Sequence, residues 1–89
     1  MKKEVVNYLK FLDSKVLEKI PLIEKEIYHE LVSLSCGLLN SNHVLGDIKR
    51  INFLVNVLVQ KRIISYNLYI EFGEMINSII RSLKKNVKV

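Results

Sequence analysis

The chain has no alanine, threonine or tryptophan, and one glutamine, Gln60. Alanine and glycine are the residues that let helix axes approach closely. A helical protein with none of the first and three of the second needs wide interaxial spacing, filled by large branched side chains. The glycines, Gly37, Gly46 and Gly73, stand too far apart for a phosphate-cradling loop or a dinucleotide fingerprint. Cys36 is the only cysteine, which excludes an intrachain disulfide and weighs against a secreted disulfide scaffold. Long apolar runs are missing too. The longest uncharged stretch, Leu31 to Gly46, is interrupted by Ser, Asn, His and Gly and falls short of the roughly 20 apolar residues of a membrane span. The start, MKKEVVNYLKF, meets Glu4 and Lys10 before any adequate apolar run, so no signal peptide is expected. The expectation is a cytoplasmic protein without a transmembrane segment.

What is present is aliphatic and basic. The 89 residues are 49% apolar, with mean hydropathy +0.18. A chain of this length makes a single domain, 1–89, near the lower limit for an independent core. A domain so small has a large surface fraction, so part of this apolar area is expected to be covered by a larger protein partner or by another copy of the chain. The periodicity is helical. Val5, Leu9, Leu12, Val16 and Ile20 form a first stripe, which Pro21 ends. Ile23, Ile27, Leu31, Leu34 and Leu38 form a second, with Asn40 to Asp47 as a loop.

The segment Asp47 to Ile64 carries only Asn52 and Asn56 as polar residues between Ile51 and Val59, and reads as a central helix wrapped by the others. Asp47 is a suitable N-cap. A start near Asn42 competes, because Val44, Ile48, Ile51, Val55 and Leu58 keep one phase through Gly46. Ser65 caps a last helix with Tyr69, Phe72, Ile76, Ile79 and Leu83 on its stripe, and Ile64 and Tyr69 are spaced for a hydrophobic staple. A hairpin around Gln60-Lys61-Arg62 is the competing reading of the β-branched residues there, but that turn lacks the Gly, Asn or Asp that short hairpins need. The fold class is all-α, an antiparallel four-helix bundle with helices at about 3–19, 22–39, 47–62 and 66–85.

Function is read from charge. Fourteen Lys and Arg against nine Asp and Glu give a net charge of +5, which favours an anionic partner. In an up-down-up-down bundle Lys2, Lys3, Lys49, Arg50, Arg81, Lys84, Lys85 and Lys88 fall toward one pole, a candidate site for a nucleic-acid phosphate backbone. Charged caps kept for solubility are the alternative account of the same residues. His29, Cys36, His43 and Asp47 lack the closely spaced pairs of a structural zinc site. The expectation there is a surface His29, a small buried Cys36 and a loop His43. Glu24, Glu26 and Glu30 lack the Glu-x-x-His partners of a di-iron bundle and read as a solvated acidic face. No Ser/His/Asp order appears, so neither enzyme activity nor a metal or cofactor is expected.

From Leu31 onward, with Arg50, Leu54, Val55, Asn56 and Leu58 followed by a Tyr-containing last helix, the chain resembles class II bacteriocin immunity proteins. The resemblance implies a small basic helical bundle that protects a producer cell at the inner face of its membrane. The residues themselves favour a non-catalytic accessory subunit of a larger, nucleic-acid-handling assembly, such as a DNA polymerase or replication complex. Size and charge make that analogy.

Overall fold

The computed structural model describes residues 1–87, and the side chains of residues 1–85; among them are four α-helices and no strand. The first helix, α1 (Lys2–Phe11), runs on through a π turn (Leu12–Val16) and a 3-10 turn (Leu17–Lys19). Its buried positions are Val5, Tyr8, Phe11, Leu12 and Val16, while Leu9 is only half-buried. The stripe is therefore centred on Tyr8 and Phe11 rather than on Leu9. Large rings fill the wide gap between helices that lack alanine.

Ile20 is extended (φ −82°, ψ 117°), as the residue before a proline must be to avoid its ring. Pro21 does not open a helix. It precedes a 3-10 turn (Leu22–Glu24), and only then does α2 (Lys25–Cys36) begin. That extra turn takes Ile23 out of the apolar stripe expected of it, leaving it 87% exposed beside Leu22 at 86%. Leu31, Ser35 and Leu38 form the buried face of this region, Leu38 from a further 3-10 turn (Leu38–Asn40).

The third helix, α3 (Val44–Gln60), starts at the earlier of the two expected positions. Asp47 is not its N-cap. The Asp47 backbone N–H donates to the His43 carbonyl at 2.9 Å, within the first turn. The apolar phase decided this, since starting at Val44 packs that side chain against the core. Ile48, Ile51, Leu54, Val55 and Leu58 are buried, but Leu45, Lys49, Phe53, Asn56 and Gln60 are exposed. The helix is thus not wrapped on all sides. It packs against α2 and α4 and keeps an outer face in solvent.

Its end is a Schellman motif, in which Arg62 N–H donates to Val59 O and Ile63 N–H to Leu58 O, each at 2.9 Å. Arg62 occupies the left-handed position that usually belongs to glycine, with φ 60°. Ser65 then caps α4 (Tyr66–Val87), its hydroxyl accepting from Leu68 N–H at 3.1 Å. Ile64 is buried and Tyr69 packs against the core, consistent with the staple.

Cross-helix ion pairs accompany the antiparallel order. Lys15 reaches Glu71, and Glu24 and Glu30 of the second segment meet Lys61 and Arg50. α1 packs on α4, α4 on α3, and α3 on α2, with the turn at Leu38–Asn40 returning to α1. At the centre, the Tyr8 and Ser35 hydroxyls share a buried hydrogen bond of 2.7 Å, and the Tyr8 ring lies 6.0 Å from that of Phe72. Burial pushes the Tyr8 hydroxyl well above its ordinary pKa, so it stays a neutral donor or acceptor.

Tyr8→Phe is expected to cost about 1–3 kcal/mol in urea unfolding, because Ser35 is left buried without a partner. The raised folded pKa makes the Tyr8 contribution complete below about pH 10 and lost as pH rises further, so the stability gap to the variant narrows in alkali. Arg62→Gly is expected to raise stability by about 0.5–1 kcal/mol at unchanged m, since glycine takes the left-handed position without steric strain.

Candidate functional site

The candidate cations of the expected pole have different surroundings, although Leu83 near the end of α4 shares a hollow with His43, Val44 and Leu45 at the start of α3. Lys2 and Lys3 are exposed in the first turn of α1, and Lys84 is exposed in the last turns of α4. Arg81 and Lys85 line a shallow groove with Glu4, Ser78 and Ser82 where α1 and α4 run side by side. Lys49 is exposed on α3 and does not line that groove. Lys88 lies outside the described residues.

Arg50 has a different environment. Its Nε and one terminal nitrogen donate to the two Glu30 oxygens at 2.6 and 3.0 Å, a bidentate fork, and its guanidinium lies 5.1 Å from the centre of the Phe53 ring. The hydrogen bonds from Arg50 hold the Glu30 carboxyl below its usual pKa. Lys61 and Glu24 pair similarly at 2.7 Å. The acidic residues of the second segment are therefore not simply a solvated face: Glu24 and Glu30 tie it to α3. Sequence spacing gave no sign of these pairs, because their members lie 37 and 20 residues apart.

The pairs consume cations selectively. Among the described residues, Lys10, Lys84, Lys85 and Arg81 belong to no ion pair, whereas Lys15, Arg50 and Lys61 do. Lys2, Lys3, Lys19, Lys25, Lys49 and Arg62 are likewise outside any ion pair among the described residues, so free positive charge is spread over all four helices.

The His29, Cys36, His43 and Asp47 set is dispersed among other roles. His29 is exposed, its ring edge-on to Tyr28 at 5.7 Å. Cys36 is exposed rather than buried, because Ser35 takes the inward position one residue earlier. His43 is the N-cap of α3, and Asp47 accepts the Ser41 hydroxyl at 2.5 Å. Among the described residues no group of three or more His, Cys, Asp or Glu is placed to hold a metal ion.

A second surface was not visible in the periodicity. The joint between α1 and α2 projects Leu22 and Ile23 almost wholly into solvent. Beside them Ile20, Pro21, Lys25, Tyr28 and His29 line a shallow, mostly apolar hollow. Only the 3-10 turn that shifts the phase after Pro21 reveals it. No helix among the described residues is long and apolar enough to cross a membrane. The chain matches no protein-family model, no curated protein and no solved structure.

In Arg50→Gln the Glu30 carboxyl loses its charged donor, and its titration, followed by carboxyl NMR shifts, is expected to move up toward the ordinary carboxylate range. A depressed folded pKa contributes stability above the unfolded value and loses it as pH falls through the folded one. The acid-induced loss of stability should accordingly be smaller in the variant.

Proposed function

We propose that this chain is a non-catalytic accessory subunit that docks on a larger, nucleic-acid-handling assembly in the cytoplasm. The observation that carries the docking part is the exposed Leu22–Ile23 tip, at 86% and 87%. Two adjacent large aliphatic side chains in water are costly to leave uncovered, at about 25 cal/mol per Å² of apolar surface, and a partner groove removes that cost. The nucleic-acid part is supported by the net charge of +5 and by Arg81, Lys84 and Lys85 on α4, which make no ion pair among the described residues. A self-associating bundle would cover the same tip, and sedimentation of a clean monomer removes that option.

A second reading follows from the lysines beside the tip. Lys19 and Lys25 flank Leu22 and Ile23, and an apolar tip with flanking cations suits an anionic bilayer surface. That is the setting the resemblance to bacteriocin immunity proteins implies. Expression of the chain would then rescue a sensitive cell from a small peptide toxin, and absence of rescue removes this reading.

Affinity purification of the tagged chain from its native host is expected to recover a polymerase, nuclease or other nucleic-acid protein, and to lose it in Leu22→Ser/Ile23→Ser. Recovery of no such protein overturns the accessory-subunit reading. Replacing Lys84 and Lys85 by Gln is expected to lower the slope of log K against log salt for nucleic acid by about one to two units, with the thermal midpoint unchanged.

A further inference from the structure

α4 packs on α1 and α3 and leaves its outer face open. At steps of four and three, Tyr66, Ile70, Glu74, Asn77, Arg81 and Lys84 run along that face, and all six are exposed. Tyr66 and Ile70 are large apolar bodies, 67% and 46% exposed. Gly73 lies half-buried beside this stripe, yet a methyl group there would meet nothing among the described residues within 4 Å. The packing of the chain therefore supplies no reason for a glycine in the middle of a helix, where glycine is disfavoured. The room it leaves suits the close approach of a second backbone from outside.

The charges of the stripe are balanced about its middle. Glu74 and Arg81 stand equally far on either side of the Asn77–Ser78 bond, and neither belongs to an ion pair among the described residues. They are about 10 Å apart along one helix, too far to meet each other. Turned end for end about that bond, the stripe matches itself. Glu74 of each copy opposes Arg81 of the other, and Asn77 opposes Asn77. A two-fold operation makes both bridges at once, on one side of the crossing, with Gly73 on the other side. Ile70 then lies over the alkyl stems of Lys84 and Lys85 from the other copy. An anionic polymer or bilayer would instead meet the Glu74 carboxylate in the centre of the face.

We propose that two copies of this chain associate through the outer face of α4, antiparallel and two-fold, with reciprocal Glu74–Arg81 bridges around a central pair of Asn77 amides. Each copy carries +5, and moderate salt screens that long-range repulsion more than it weakens the close pairs. Lys15–Glu71 and Glu24–Lys61 place the Leu22–Ile23 tip at the end of the molecule where α4 begins. The antiparallel pair consequently points its two tips in opposite directions and leaves both free for docking. The pairing uses a different surface from that docking and does not depend on it.

Sedimentation at high protein concentration and about 0.15 M salt tests the pairing. The parent chain is expected to reach a dimer. Glu74→Arg and Arg81→Glu each set like charges against one another, and each is expected to weaken the dimer about tenfold or more. Glu74→Arg/Arg81→Glu restores opposite charges across the two-fold and is expected to return to within about threefold of the parent. An equimolar mixture of the two single variants is expected to pair with each other. Circular dichroism verifies the fold of each variant. Leu22→Ser/Ile23→Ser is expected to leave the dimer intact. A clean monomer of the parent chain would overturn the proposal, as would failure of the double charge variant to recover. A dimer lost in the tip variant and kept in the charge variants would overturn it in favour of association through the tip.

Discussion

The Tyr8 hydroxyl sits where water does not reach, and its partner is the hydroxyl of Ser35 on another helix. Breaking that bond leaves two buried polar groups unpaired, each costing about 1–3 kcal/mol. The bond therefore fixes both the height and the rotation of α1 against α2. The ring of the same residue lies tilted on Phe72, which sets α1 against α4. Three of the four helices are placed by one side chain. Aliphatic packing alone, tolerant of small slides, would not specify that arrangement so closely.

The placement of α1 on α4 has an electrostatic consequence. α2 meets α3 with its carboxylates forward, and Glu24 and Glu30 neutralise Lys61 and Arg50. Between α1 and α4, Glu71 of α4 is engaged by Lys15 and Glu4 of α1 by the amino-terminal ammonium. Ion pairs thus join the helices on both sides, Lys15–Glu71 on one and Glu24–Lys61 with Glu30–Arg50 on the other.

The apolar surplus is also uneven. Without alanine the interior is filled by Leu, Ile, Val, Phe and Tyr. The aliphatic residues that do not reach it gather partly at the joint after Pro21. There the extended Ile20–Pro21 backbone and the following 3-10 turn put Leu22 and Ile23 outside. The apolar tip and the polar seam are separate surfaces, with no lining residue in common.

The sequence by itself determined the class of fold. A period near 3.6 in its apolar residues, Pro21 as a break, Ser65 as a cap and the lack of hairpin turn residues were enough for four helices, because these signals act within one or two turns of chain. It overstated the burial of α3, which it read as wrapped by the others although Leu45, Phe53 and Asn56 stay in solvent. It left the choice between Asn42 and Asp47 to be decided by whether Val44 found a place in the core. Only the tertiary structure decided which cations remain free, which of Ser35 and Cys36 faces inward, and that Ile23 lies outside its stripe. Those outcomes depend on side chains 20 to 60 residues apart in sequence and on a single 3-10 turn whose effect is a rotation of everything after it. Local chemistry carries no record of such distant neighbours, so the surfaces on which function depends emerged only when the helices were packed.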